Sequence, residues 1–192
     1  LFVTANNYVN PEKHLTKFIS VRYGNVFGSS GSVIPRFIEQ IKKKQKITIT
    51  DPKMTRFSIT MNEALDFIIS ATNSGKGSEI FVPKMRAYNI MDLKDVLFEL
   101  LGNSGEEIIG IRPGEKLHEV LIGDDEIRNS WEFNNMYMIT NPLYPLFHLN
   151  KIKDTYNDIK KVENIKNYSS NVAEKISKEE LQTMIKNSGL IN

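Results

Sequence analysis

The sequence predicts an α/β protein, because short strand-like runs alternate with helical patterns of about ten residues along most of the chain. The strand-like runs end at turn signals, as Ile47-Thr48-Ile49-Thr50 does at Asp51-Pro52. The segments between these runs repeat apolar residues at helical spacing. A sandwich or a helix bundle lacks this alternation, so both are excluded.

The first predicted unit is a strand, a glycine-spaced loop and a helix. The strand covers residues 18–22 and the loop covers residues 24–31. The helix that follows has one apolar face, formed by Val33, Ile34, Phe37, Ile38 and Ile41. This order predicts a backbone loop that points its unpaired N–H groups toward a ligand at the start of a helix.

Further strands and helices follow from short β-rich runs and capping signals. Thr60-Met61-Asn62-Glu63 and Ser177-Lys178-Glu179-Glu180 each have the form of a capping box, and Asp92 is the predicted N-cap of a helix over residues 93–101. After about residue 141 the pattern weakens, which predicts a long connection before the last helix. The remaining strands are predicted over residues 47–50, 57–59, 79–82 and 108–111.

Composition excludes several classes of function. The 192 residues include 25 Lys and Arg against 23 Asp and Glu, and this small net charge of +2 argues against a nucleic-acid-binding protein. With no cysteine there is no disulfide, thiolate nucleophile or cysteine zinc site, and the three histidines are too few for a His-rich metal site. No apolar run approaches the ~18 residues that span a bilayer. We therefore expect a cytoplasmic protein without a metal.

The first residues are not typical of a protein start. Leu1-Phe2-Val3-Thr4 has no initiator Met and no basic region or cleavage site of a signal peptide. We therefore expect the sequence to be a piece of a longer protein.

Two arginines and a glutamate are the strongest candidates for ligand binding by residue type. Arg56 begins a predicted strand, and Arg112 follows another, with Glu115 three residues later. Guanidinium groups match phosphate oxygens, and a carboxylate accepts hydrogen bonds from a vicinal diol such as ribose. Surface ion pairs worth ~0 to 1 kcal/mol explain the same pattern equally well. His118 beside Glu119 is interpreted as a pair on a helix surface.

Four ordered runs resemble the C-terminal half of the UDP-N-acetylglucosamine 4,6-dehydratases, which are extended short-chain dehydrogenases of bacterial glycan synthesis. The resemblance extends from the first residues to about Ile139, and Tyr168-Ser169-Ser170-Asn171 also resembles the end of the family. The runs are FISVRYGNVFGSSGSVIP at residues 18–35, ITITDPKMTRF at 47–57, EIFVPK at 79–84 and IGIRPGEKLHE at 109–119.

The resemblance implies an activity and a cofactor. Members of the family hold NADP or NAD on a Rossmann domain, oxidise the sugar at C4, eliminate water across C5 and C6, and return hydride to C6. The glycine-rich fingerprint and the Tyr-x-x-x-Lys catalytic motif lie upstream in the family, and neither occurs here; Tyr156 and Lys160 have that spacing in the wrong segment. We therefore expect the cofactor to be bound mainly by residues outside this chain, and the chain alone to be inactive.

The resemblance also assigns residues to the parts of a UDP-N-acetylglucosamine substrate. The loop that passes the nicotinamide corresponds to Tyr23, Gly24, Asn25 and Val26, and Asn25 also faces the substrate phosphates. The uracil corresponds to Val33, Ile34 and the backbone of Thr48, the diphosphate to Arg56 and Arg112, and the uridine ribose to Glu115.

The implied architecture is the C-terminal part of an extended short-chain dehydrogenase, with the last strands of a Rossmann-type sheet and a small substrate-binding domain. Residues 1–32 would end the Rossmann-type domain, residues 33–140 would bind the nucleotide sugar, and residues 141–192 would form a C-terminal extension. The whole enzyme is expected to be a homo-oligomer. Two alternatives stay open, a non-catalytic nucleotide-sugar-binding module and a fragment of a nucleotide-sugar epimerase.

Overall fold

The computed structural model describes residues 2–8, 13, 15–141 and 149–191. Its helices are α1 Phe2–Ala5, α2 Val33–Lys42, α3 Met61–Ser74, α4 Ile90–Leu101, α5 Asp124–Ile127, α6 Leu149–Thr155 and α7 Lys178–Asn187, with a 3₁₀ turn at Asn6–Tyr8. Its strands are β1 Ser20–Val21, β2 Asn25–Val26, β3 Ile47–Ile49, β4 Thr55–Ile59, β5 Ile80–Pro83, β6 Arg86–Asn89, β7 Glu106–Ile108, β8 Val120–Ile122, β9 Ser130–Phe133, β10 Met136–Ile139, β11 Lys160–Lys161 and β12 Tyr168–Ser169. Among the described helices, none is long and apolar enough to cross a membrane.

The chain divides into two compact units, each made of three segments. The first unit contains residues 1–23, 62–84 and 120–168, and the second unit contains residues 24–61, 85–119 and 169–192. The division predicted at residues 32 and 140 stays a prediction.

The first unit is built on a five-stranded mixed sheet in the order β1-β5-β10-β9-β11. Strand β5 pairs in parallel with β1 and antiparallel with β10. Its central residues Phe81 and Val82 are fully buried, as expected for an apolar strand with neighbours on both edges. Residues of α3 and α6 pack with this sheet in one apolar cluster, which includes Phe67, Trp131 and Ile152.

The second unit combines two small sheets with three helices. Strands β2, β4 and β6 form one sheet, with β2 parallel and β6 antiparallel to β4. Strands β3 and β7 form a parallel pair. Helices α2, α4 and α7 contribute their apolar faces to a single core, in which Phe37, Leu93, Leu97 and Leu181 are almost completely buried.

The α/β class and most predicted elements are confirmed. Helix α2 buries the predicted apolar face except for Val33, which is half-buried. Helix α7 begins with the predicted capping box, since Ser177 Oγ accepts from the Glu180 N–H at 3.2 Å and Glu180 Oε2 accepts from the Ser177 N–H at 3.1 Å. These local signals were therefore sufficient to place two helices of the second unit.

Three predicted boundaries are wrong. The N-cap of α4 is Asn89 and not Asp92, because the helix begins at the apolar Ile90; Asp92 lies in its first turn and accepts from Asn89 Nδ2 at 2.9 Å. Strand β7 ends at Ile108, because Gly110 turns the chain with a φ of +79°. Part of the predicted connection after residue 141 is α6 and β11, while residues 142–148 lie outside the described residues.

Candidate functional site

A pocket of about 190 Å³ lies in the second unit, beside the start of α2 and strand β3. Four of the residues that the resemblance assigns to the substrate line it, namely Val33, Thr48, Arg56 and Glu115. They come from four separate stretches of the sequence, so the fold of this unit brings them together. The other lining residues are Gly31, Arg36, Phe37, Ile49, Thr50, Met54 and Ile90.

Strand β3 and the residue after it place two threonines on the pocket wall. Thr48 and Thr50 are two positions apart, so they face the same side, while Ile47 and Ile49 are buried in the core. Thr48 Oγ1 accepts from Arg36 Nη2 at 2.9 Å. This hydroxyl therefore marks the α2 end of the pocket.

The Thr50 end of the pocket carries the predicted ribose and phosphate residues. Thr50 Oγ1 donates to Glu115 Oε1 at 3.2 Å. The same carboxylate oxygen is 3.8 Å from Arg56 Nη2, which is an ion pair too long for a strong hydrogen bond. Glu115 is therefore held near Arg56 by an electrostatic attraction. A hydrogen bond from a ligand hydroxyl to Glu115, or from Arg56 to a phosphate, can replace it.

Arg56 is a mostly buried cation whose Nη1 is held by two backbone carbonyls and whose Nη2 donates to Met54 Sδ at 3.2 Å. Nη1 donates to the backbone carbonyls of Thr55 at 2.8 Å and Leu117 at 3.1 Å, and 15% of the side chain is exposed. Its Nε is 4.0 Å from Glu119 Oε1. The carbonyls set the direction of the group and leave its positive charge at the pocket wall.

Glu119 is a central residue of the site that no sequence pattern indicated. Its Oε2 accepts from the Phe57 N–H at 2.7 Å, and its Oε1 accepts from Asn25 Nδ2 at 2.8 Å. Burial raises the pKa of this carboxyl, partly offset by the Phe57 N–H, the charge of Arg56 and the Asn25 amide. Glu119 thus connects the predicted substrate loop to the strand that carries Arg56.

The interpretation of His118 and Glu119 as a helix-surface pair is wrong, because both residues lie in extended chain before β8. His118 Nδ1 is 2.8 Å from Thr55 Oγ1, which is 2.7 Å from Ser170 Oγ. Ser170 Oγ also accepts from the Glu119 N–H at 2.9 Å. The family-like residues near position 170 therefore brace the segment that holds Glu119.

We expect His118 to make the stability of the second unit depend on pH. Burial and the charges of Arg56 and Lys175 lower the pKa of His118 from 6.5, against a smaller opposite effect of Asp51. As the pH is lowered, His118 therefore takes up its proton in the unfolded chain at a higher pH than in the folded chain. The free energy of unfolding should decrease as the pH falls from 6.5 to the lowered pKa of the folded state.

His118→Gln should remove this contribution while keeping a polar group near Thr55. Urea unfolding followed by circular dichroism gives the free energy of unfolding at about pH 7.5 and about pH 5.5, which lie on either side of the ordinary histidine pKa. The variant should lose less stability than the wild type between the two conditions. Equal losses in both proteins would contradict the assignment.

The residues assigned to the cofactor loop have different surroundings. In the first unit, the Tyr23 ring meets Phe67 edge-on. In the second unit, Val26 pairs with Ile59 and Asn25 is exposed. A Cβ atom on Gly24 would lie 2.5 Å from Phe57 Cβ, so glycine is required there by close packing. The Asn25 side chain is exposed, and its amide oxygen is an acceptor that a ligand can reach.

Three predicted substrate residues, Asn25, Ile34 and Arg112, lie outside the pocket lining. Ile34 is 2% exposed and packs in the core of the second unit, behind Val33. Arg112 is exposed, and its N–H donates to Glu115 Oε2 at 3.4 Å. Conversely, Arg36 lines the pocket, although the sequence pattern of α2 indicates only its apolar neighbours.

Comparison with known proteins places these residues in a family context. The profile of a family described as "Polysaccharide biosynthesis protein" matches residues 1–141. The matched range includes every residue of the pocket.

Two curated relatives differ in their named activity. The UDP-N-acetylglucosamine 4,6-dehydratase (inverting) of Campylobacter jejuni is 43% identical over 141 residues, which is 73% of this chain and 41% of the relative. The UDP-glucose 4-epimerase of Rickettsia felis is 36% identical over 167 residues, which is 86% of this chain and 48% of the relative. The chain therefore spans less than half the length of both relatives.

A solved structure matches almost the whole chain. The X-ray structure of Pen from Bacillus thuringiensis superposes with a TM-score of 0.80 at 38% identity, over 99% of this chain and 54% of the other. The arrangement of elements described above is therefore shared with an experimentally determined protein.

Proposed function

Because the chain belongs to the polysaccharide biosynthesis protein family, we propose that it supplies the nucleotide-sugar-binding part of a UDP-N-acetylglucosamine 4,6-dehydratase. The observation that carries this proposal is the single pocket that residues from separate stretches of the chain line together. Residues that the resemblance assigns to the base, the ribose and the diphosphate line one cavity in the second unit. Surface ion pairs, the alternative explanation for Arg56 and Glu115, do not require such convergence.

The pocket supports a defined direction for the ligand. Val33 and Thr48 lie at the α2 end, where the uracil is proposed to bind. Glu115 contacts Thr50 and lies between this end and Arg56, which is the order of base, ribose and diphosphate in a nucleotide. Arg112 belongs to the loop of Glu115 and is proposed to add a second positive charge beside the diphosphate.

The proposed cofactor is NADP or NAD, held mainly by residues outside this chain. The Asn25 amide fits the carboxamide of a nicotinamide, because its Nδ2 is bound to Glu119 and its Oδ1 is an acceptor for an amide N–H. When bound, a nicotinamide cofactor supplies hydride transfer. The residues of this chain would bind and orient the nucleotide part of the substrate while the C4 position is oxidised elsewhere.

Oxidation at C4 is chemically required before water can leave. A keto group at C4 acidifies the C5 proton, and this makes elimination across C5 and C6 accessible. Tyr156 does not fit the role of the catalytic tyrosine, because it is buried and bound to Glu79 in the first unit. The catalytic acid and base are therefore proposed to lie outside these 192 residues.

A nucleotide-sugar epimerase is the second candidate, favoured by the 36% identity to the UDP-glucose 4-epimerase of Rickettsia felis. The whole protein incubated with UDP-N-acetylglucosamine separates the candidates by mass spectrometry and NMR. We expect a product lighter by one water, with a 4-keto-6-deoxy sugar. A product of unchanged mass, inverted at C4, would indicate the epimerase, and binding without turnover would indicate a non-catalytic module.

We expect Glu115→Gln to weaken UDP binding about fivefold, because ribose hydrogen bonds lose their charge assistance, worth on the order of 1 kcal/mol. Affinity for 2′,3′-dideoxy-UDP should stay the same or improve, since the carboxylate near Arg56 also repels a diphosphate. Calorimetry on the whole protein measures both ligands.

The exposed carboxylate of Glu99 on α4 provides the matched control, because it lies in the same unit outside the pocket lining. Glu99→Gln should leave both affinities unchanged. Equal losses for UDP and its dideoxy analogue in Glu115→Gln would show that Glu115 supports the loop and does not contact the ribose.

A further inference from the structure

Arg36 is a cation at the α2 end of the pocket, to which neither the family resemblance nor the comparisons assign a role. Its Nη2 donates to Thr48 Oγ1 at 2.9 Å, and the residue itself is exposed at the pocket mouth. A guanidinium group has five N–H donors in a fixed plane, so this contact leaves most of them for other partners. Arg36 therefore presents hydrogen-bond donors where the base of the ligand is proposed to lie.

Thr48 adds to this donor character. Its Oγ1 accepts from Arg36 Nη2 and from Gln40 Nε2 at 3.3 Å, and its backbone N–H is bound by Gln40 Oε1 at 3.3 Å. A hydroxyl that already accepts twice has its own hydrogen left to donate. Gln40 and Arg36 are one turn apart on α2, so the helix fixes both partners of this hydroxyl.

The position of Arg36 relative to the other charged groups favours a contact with the base over a contact with the diphosphate. Thr48 and Thr50 are two residues apart along the chain, which is about 7 Å in an extended strand. Arg36 is hydrogen-bonded to Thr48, whereas Glu115 is hydrogen-bonded to Thr50. Arg56 lies beside Glu115 and therefore near the Thr50 end. A nucleotide with its diphosphate at Arg56 and its ribose at Glu115 places its base beside Arg36.

We infer that Arg36, together with the hydroxyl of Thr48, selects a uracil base against a cytosine base. The donors of Arg36 and of the Thr48 hydroxyl together complement the carbonyl oxygen that a uracil-type ring carries at position 4, which accepts two hydrogen bonds. Cytosine carries an amino group at that position, and this would bring donor against donor. The inference rests on the proposed function, since it names the specificity of the same pocket.

The test compares UDP and CDP binding by calorimetry, using the whole protein and its Arg36→Met variant. Methionine keeps an apolar side chain of moderate length and removes every donor. We expect the wild type to prefer UDP at least tenfold, and the variant to bind UDP about tenfold more weakly with CDP nearly unchanged. Arg36→Lys, which keeps the charge without the planar fork, should recover part of the preference.

Lys43→Met is the matched control, because Lys43 is an exposed cation next to the end of the same helix and pairs with Glu39 outside the pocket. It should leave both affinities unchanged. Equal losses of UDP and CDP in Arg36→Met, an unchanged preference, or a wild type without preference would each overturn the role of Arg36 while leaving nucleotide binding intact. A wild type that binds neither nucleotide would overturn the proposed function as well.

Discussion

Replacing Arg56 by alanine should lower the affinity of the whole protein for UDP about 100-fold, equivalent to about 3 kcal/mol. The guanidinium is mostly buried and lies on the pocket wall, so its attraction for a diphosphate is screened less than that of a surface charge. Its Nη1 is fixed by the carbonyls of Thr55 and Leu117, so little side-chain entropy is lost when a ligand binds.

The same substitution should also destabilise the second unit by about 2 kcal/mol. The carbonyls of Thr55 and Leu117 lose a hydrogen-bond donor, and Glu119 loses its ion pair with Arg56. Binding must therefore be measured by titration calorimetry at a temperature where circular dichroism shows the variant folded. Arg56→Lys keeps a positive charge and should recover part of the affinity without the paired contacts to the carbonyls.

Arg112→Ala is the comparison variant, since Arg112 is the other arginine proposed for the diphosphate but is exposed and outside the pocket lining. We expect a loss of no more than about tenfold for UDP, because an exposed charge is screened by solvent. If Arg112→Ala cost more affinity than Arg56→Ala, the main contact to the diphosphate would belong to the loop of residues 109–115. If neither variant changed UDP affinity, the phosphate assignment would be wrong.

The sequence predicted those parts of the second unit that depend on local patterns. The spacing of Ile34, Phe37, Ile38 and Ile41 determines which face of α2 is buried, and Ser177 with Glu180 determines where α7 begins. Both patterns lie within a few residues, so no knowledge of distant contacts was required.

The hairpin of β9 and β10 was not predicted, although a local signal for it exists. Met136 pairs with Phe133, so the two-residue turn is Asn134-Asn135, and Asn134 has a φ of +51°. Asparagine tolerates this left-handed conformation and is common in such turns. Strand β9 alternates polar and apolar residues, but β10, Met136–Ile139, is a continuous apolar run, which periodicity alone does not assign to a strand.

The candidate site was predicted in its residue types but not in its network. The resemblance assigned Arg56 and Glu115, and the structure brings them to one pocket. Glu119 and Ser170 could not be connected from sequence, because they are 51 positions apart and meet only through the packing of β4 and the C-terminal segment. Arg36 was missed because the pattern of α2 emphasises its apolar face.

In the first unit, the completely buried carboxylate of Glu79 should be the most sensitive polar position. Its Oε1 accepts from the Lys76 N–H at 2.9 Å and from the Tyr156 hydroxyl at 2.5 Å, and its Oε2 accepts from the Gly77 N–H at 2.7 Å. Burial and the nearby Glu79 charge raise the pKa of Tyr156, so this hydroxyl stays protonated and donates. One side chain therefore joins the turn before β5 to the end of α6.

Glu79→Ala should destabilise the first unit by about 4 kcal/mol, because three donors lose their acceptor in a buried environment and a cavity is left. Glu79→Gln should cost about 2 kcal/mol, since its amide group faces one backbone N–H in either orientation. Tyr156→Phe removes one hydroxyl and should cost about 1.5 kcal/mol. This order of losses distinguishes a hydrogen-bonding role from a purely steric one.

Urea unfolding followed by tryptophan fluorescence measures the effect, because the sequence contains one tryptophan and Trp131 is buried in the first unit. Glu163→Ala is the matched control, since Glu163 is an exposed carboxylate of the same unit, and it should change the unfolding free energy by less than about 0.5 kcal/mol. If Glu79→Ala behaved like this control, the contacts of Glu79 would contribute no net stability. If Tyr156→Phe were the most damaging variant, the hydroxyl would have a partner more important than Glu79.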